Sequence, residues 1–142
     1  MNKTFTKILV LILIAVTSFT ACTKDTQAIT VANLVGTYVL VSQTEKVTGH
    51  PEIDVTTEYH DPCELDDQTI LRSDFSATLV DAGTKCSTVD SWTVNWSLDG
   101  NVLIIDGVEY NIKSLSQSTL VLEELGAQNN IVITTTYTYR RY

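Results

Sequence analysis

The chain has 142 residues, 9 Lys and Arg against 17 Asp and Glu, and a formal charge of −8 at neutral pH. That acidity opposes binding to nucleic acid or to an anionic membrane surface. The length suits one domain.

The N-terminus reads as a targeting segment. "MNKTFTKILVLILIAVTSFTAC" has Lys3 and Lys7, then an apolar run from Ile8 to Val16, then small or polar residues up to Cys22. This is the layout of a secretory signal peptide. The run is too short to span a membrane, which takes roughly 20 apolar residues. "FTAC" ends in Ala21-Cys22 and resembles the lipobox of bacterial lipoproteins, with Phe19 in place of the usual Leu. That resemblance implies a signal over residues 1–21 and an acylated Cys22. Two or more acyl chains give stable anchoring where one does not. Once Lys3 and Lys7 leave with the signal, seven basic residues face 17 acids, a formal charge of −10.

Residues 22–32 are polar and read as a lipidated tether. From Asn33 to Tyr142 the signals are those of strands. "GTYVLVSQT" (36–44) is β-branched and aromatic. A polar loop, about 45–66, holds both prolines, Pro51 and Pro62. "QTILR" (68–72) and "FSATLV" (75–80) flank a turn at Ser73-Asp74, and "DAGTK" (81–85) is a further turn. "SWTVNWS" (91–97) alternates, with Trp92, Val94 and Trp96 on one face. Asp99-Gly100 and Asp106-Gly107 are hairpin signals. They separate "NVLIID" (101–106) from its neighbours, and "VEYNIKSL" (108–115) puts Val108, Tyr110 and Ile112 on one face. "STLVLEE" (118–124) and "NIVITTTYTYRR" (130–141) end the chain. About eight short strands with turns between neighbours predict an all-β, antiparallel up-and-down meander. Such a meander removes its edges by closing into a barrel.

Several segments together, "LVGTYVLVS", "CELDDQTI", "DAGTKC", "WSLDGNVLII", "YNIKSLSQSTLVLEE" and "TTTYTYRR", resemble the lipocalin-like domain of small bacterial lipoproteins of the Bacteroidetes group. Gly36-Thr37-Tyr38 stands where that family has Gly-x-Trp. The family has no general activity, so the resemblance implies a calycin-like barrel and a binding role. "CTKDT" also resembles a weak form of the signal that sends such lipoproteins to the cell surface. An outer-membrane protein facing the periplasm and one facing outward both remain open.

Of three cysteines, Cys22 is taken by lipidation. Cys63 and Cys86 are left to form a disulfide in an oxidising compartment. "EYHDPCELDD" (58–67) is dense in candidate ligands, but it lacks the glycine and spacing of a calcium loop. The two histidines, His50 and His60, lack zinc spacing. The expectation is a solvated loop in which Asp66 and Asp67 bond turn amides. No catalytic motif stands out, and the chain reads as a non-enzyme; His60 would be the first choice of general base in an enzyme reading. No metal or cofactor is expected.

Tyr38, Phe75, Trp92, Trp96, Tyr110, Tyr137 and Tyr139 could line the barrel. Tyr38, Trp92, Trp96, Tyr110 and Tyr137 are the candidate ligand contacts. Two functions are compatible with this reading. One is noncatalytic binding of a small apolar or amphipathic ligand by a monomer anchored through Cys22. The other is a packed barrel whose acidic exterior meets a protein or glycan, as an inhibitor of a cationic enzyme such as lysozyme would.

Overall fold

The computed structural model describes residues 25–128 and 131–142; the signal segment 1–21 and Cys22 lie outside them. The strands are β1 (Gly36–Val47), β2 (Ile53–Asp54), β3 (Gln68–Leu71), β4 (Ser76–Val80), β5 (Ser91–Asp99), β6 (Val102–Ile105), β7 (Val108–Leu115), β8 (Thr119–Gln128) and β9 (Ile131–Arg141). Every neighbouring pair is antiparallel. β1 pairs with β9 from Tyr38↔Arg141 to Val47↔Ile133, which closes the sheet. Eight strands form the barrel. β2 is an addition, paired with β1 at Thr44 and Glu45. The predicted closed meander is the observed fold.

Strand direction defines two ends. The turns after β3, β5 and β7 lie at one end, with the described segment that leads into β1 and the end of β9. The long β4–β5 loop and the connections after β1, β6 and β8 lie at the other, which we call the mouth.

The termini seal the first end. Helix α1 (Val31–Leu34) is capped by Thr30, whose side chain accepts from the Asn33 N–H. This helix brings Leu34, fully buried, beneath the barrel. The Leu34 carbonyl accepts the Tyr38 hydroxyl at 2.7 Å. The tyrosine hydroxyl thus ties the helix to β1. The Arg141 guanidinium lies 5.9 Å from the Tyr38 ring centre and donates to the Val35 carbonyl and to Gln27 Oε1. A Cβ on Gly36 would come within 2.9 Å of Arg141 Nε, so the glycine leaves room for that clamp. Gln27 also donates its backbone N–H to Leu115 at 2.8 Å. Part of the segment assigned by composition to the tether is therefore docked on the closed end. A second helix, α2 (Thr56–Tyr59), follows β2; the Thr56 hydroxyl accepts from the Gln43 N–H at 2.8 Å.

Candidate functional site

The barrel interior has a packed floor. Leu34, Tyr38, Leu71, Ala77, Trp96, Leu103, Ile112, Leu115, Leu120 and Leu122 form one buried cluster. Against it a cavity of about 100 Å³ remains, walled by Leu71, Leu79, Leu103, Ile105, Leu120 and Leu122, with Tyr38, Thr69, Tyr110 and Tyr139 completing the lining. Drug-sized ligands occupy roughly 300–1,000 Å³. This cavity suits a slim apolar group, such as the end of an alkyl chain.

Toward the mouth the inner face becomes polar. Tyr137 is paired with Gln43 on one side and Leu122 on the other, and the next inward row runs Glu45, Thr135, Glu124. The Tyr137 hydroxyl donates to Glu124 Oε2 at 3.0 Å, and its ring meets Tyr110 edge-on with centres 5.8 Å apart. The loop after α2 places His60 Nε2 2.8 Å from Gln43 Oε1 and His60 Nδ1 3.8 Å from Glu64. Burial pushes the phenols of Tyr110, Tyr137 and Tyr139 up; the Glu124 bond adds to this at Tyr137, the Glu124 charge at Tyr110, and the neighbouring Tyr110 at Tyr139. Tyr38 is raised by burial too, with Arg141 opposing. These rings therefore offer neutral hydroxyls and no negative charge.

The five candidate contacts occupy different heights on the inner face. Tyr38 and Tyr110 line the cavity. Trp96 lies in the floor, 2 % exposed, with its indole N–H donating to the Arg72 carbonyl at 2.9 Å. Tyr137 belongs to the polar layer. Trp92 shares the face of Trp96 and stands opposite Leu79, but it is 47 % exposed because β5 begins at the rim. Val108 is on the rim for the same reason, at the start of β7. Phe75 is at the closed end, half-exposed against Trp96 with ring centres 5.3 Å apart, and does not line the cavity. The cavity wall draws more on Leu79, Leu103, Ile105, Leu120 and Leu122. Their alternation was readable, but aromatic bulk drew the assignment away from them.

The acidic stretch is used structurally. Cys63 and Cys86 form a disulfide, with Cα atoms 5.6 Å apart. Asp66 Oδ2 accepts from Thr84 N–H and Asp67 Oδ1 from Ala82 N–H, both at 3.0 Å. Asp81, 2 % exposed, accepts from the Cys86 and Ser87 amides. The bonded amides belong to the facing β4–β5 loop, not to the acids' own turn, as the expectation for Asp66 and Asp67 had it. Burial pushes the Asp67 carboxyl up against the bond from Ala82, and the charges of Asp81, Asp66 and Glu64 add to it. Among the described residues, no group of three or more His, Cys, Asp or Glu side chains is placed to hold a metal ion.

The model of the lipocalin-like domain family matches residues 34–122, more than half of the chain. No curated protein and no solved structure gives a significant match.

Proposed function

The chain belongs to the lipocalin-like domain family, and on that premise we propose that it is an outer-membrane lipoprotein that binds a small amphipathic ligand without chemical conversion. The observation that carries this reading is the cavity itself. Apolar walls from β3, β4, β6 and β8 line it, together with Tyr38, Tyr110 and Tyr139. An alkyl segment would enter the wall region while the polar part of the molecule stays among Tyr110, Tyr137 and Glu124.

Native mass spectrometry of protein taken from its own membrane tests the ligand directly. The expected spectrum contains an adduct that disappears in Leu122→Phe. That substitution fills the cavity at an overpacking cost of about 1–3 kcal/mol. A bare mass for the unmodified protein, with no saturable change of tryptophan emission on titration with alkyl ligands, overturns the reading.

The anchor has its own test. Metabolic labelling with palmitate should mark the protein, and Cys22→Ala should abolish the label and release the chain from membranes. An unlabelled protein removes the lipoprotein assignment.

The small cavity also favours a second reading. A volume of about 100 Å³ leaves room for a role in which the acidic exterior, rather than the interior, meets a protein or glycan.

A further inference from the structure

We propose that the mouth selects a cationic amphiphile: a molecule with a slim alkyl chain and an ammonium-type head, read by Glu45 and Glu124. This rests on the cavity reading and adds the charge of the ligand.

The two carboxylates lie on one inner row, two strands apart. Glu45 pairs with Thr135, and Thr135 pairs with Glu124, so the row crosses three strands on the concave side. Neighbouring strands are about 4.8 Å apart, which puts the two glutamate backbones about 10 Å from each other on the same face of the sheet. Glu124 is held in place by the Tyr137 hydroxyl. Glu45 also borders a hollow of about 280 Å³ with Val47, His50, Pro51 and Ile53. Ile53 is the cross-strand partner of Glu45 and shares its face.

The described lysines are directed elsewhere. Lys46 alternates away from Glu45 and is exposed, Lys85 pairs with Asp90 at 3.1 Å, and Lys113 pairs with Glu123 at 3.3 Å. His50 and His60 are the basic groups that face this region, His50 across the hollow and His60 over Gln43. The arginines Arg72, Arg140 and Arg141 all stand at the closed end. A cationic head is therefore drawn toward the mouth, and an anionic head meets two carboxylates in a concave, partly apolar site where charge interactions are strengthened.

The rim supplies apolar contacts. Ile53, Tyr59, Trp92 and Ile131 are each 47–56 % exposed, and all lie at the mouth. An anchoring bilayer is not the occupant of that ring. Gln27 is fixed to Leu115 and Arg141 at the closed end. The five residues from Cys22 to Gln27 reach at most about 18 Å, while β9 alone runs 11 residues, or about 36 Å. An anchor at Cys22 holds the closed end to the membrane and turns the mouth away from it.

Matched ligands test the inference. Decylamine, decanol and decanoate share one alkyl chain and differ in head charge. They are titrated by calorimetry into the full chain carrying Cys22→Ser, which needs no detergent. The expected order is decylamine at least tenfold tighter than decanol, with decanoate weakest, and a narrower spread as salt rises. Glu124→Gln keeps an acceptor for Tyr137, and Glu45→Gln keeps the side-chain shape. The double variant should bring decylamine to the affinity that decanol has for the same variant. Decanoate binding as tightly as decylamine, or a preference that survives the double variant, overturns the charge assignment while the cavity reading stands. Failure of all three to bind overturns both.

Discussion

Replacing Trp96 with alanine should lower stability by roughly 3–5 kcal/mol, the range for removing a large aromatic from a packed core. Trp96 is 2 % exposed and stands opposite Ile105 across the β5–β6 pair. Its ring contacts Phe75, and its indole N–H satisfies the Arg72 carbonyl in the β3–β4 turn. The backbone N–H of the same residue donates to the Phe75 carbonyl at 2.9 Å. Phe75 holds this position with φ of +63°, a left-handed conformation that a non-glycine residue adopts at some cost. The indole thus packs on a turn whose last residue holds a costly backbone conformation. Trp96→Phe keeps most of the buried area and loses the hydrogen bond, so it should cost about 1–2 kcal/mol less than the alanine variant. Denaturant unfolding of both variants, read by far-ultraviolet circular dichroism, gives the two numbers. A loss under 1 kcal/mol for alanine would mean that the floor is not packed as described.

The strands and their order were legible because the relevant signals are local. Asp106-Gly107 shows this most directly: both residues take positive φ, +51° and +83°, as a two-residue hairpin requires. Height along the barrel was not legible. Alternation puts Trp92 and Trp96 on one face but does not say that one sits at the rim and the other in the floor. The polar inner layer was hidden for a different reason. The β1–β9 register shifts between Leu40 and Ser42, and the β7–β8 register between Ile112 and Ser114. Each shift resets the phase, so Gln43 and Glu45 face inward although their polarity suggests an outer face. Helices α1 and α2 are four residues each, too short to display a 3.6-residue period. The bonds from Asp66 and Asp67 reach amides 15 to 18 residues away, a tertiary pairing that no local pattern encodes.

Removing the disulfide by Cys63→Ala with Cys86→Ala should cost about 3 kcal/mol and lower the melting temperature by roughly 10 °C for a domain of this size. The bridge spans a sequence separation of 23 residues. It joins the loop before β3 to the loop after β4, both at the mouth. In the chain-entropy account the loss comes from a freer unfolded state, so it should appear chiefly as a shift of the midpoint. The folded mouth should loosen as well, because the loop after β4 is then held only by hydrogen bonds. Asp81, Asp67 and Asp66 take the amides of Cys86, Ser87, Ala82 and Thr84. Those four amide protons should lose protection through local opening, while the ladder between β8 and β9, which does not touch the bridge, should lose only what the lower global stability takes. If the four mouth amides show no new local opening and the midpoint still falls, the bridge acts on the unfolded chain alone and the three aspartates suffice to hold the mouth. If neither changes, the closed loop contributes nothing to stability, and the aspartate bonds alone order this part of the rim.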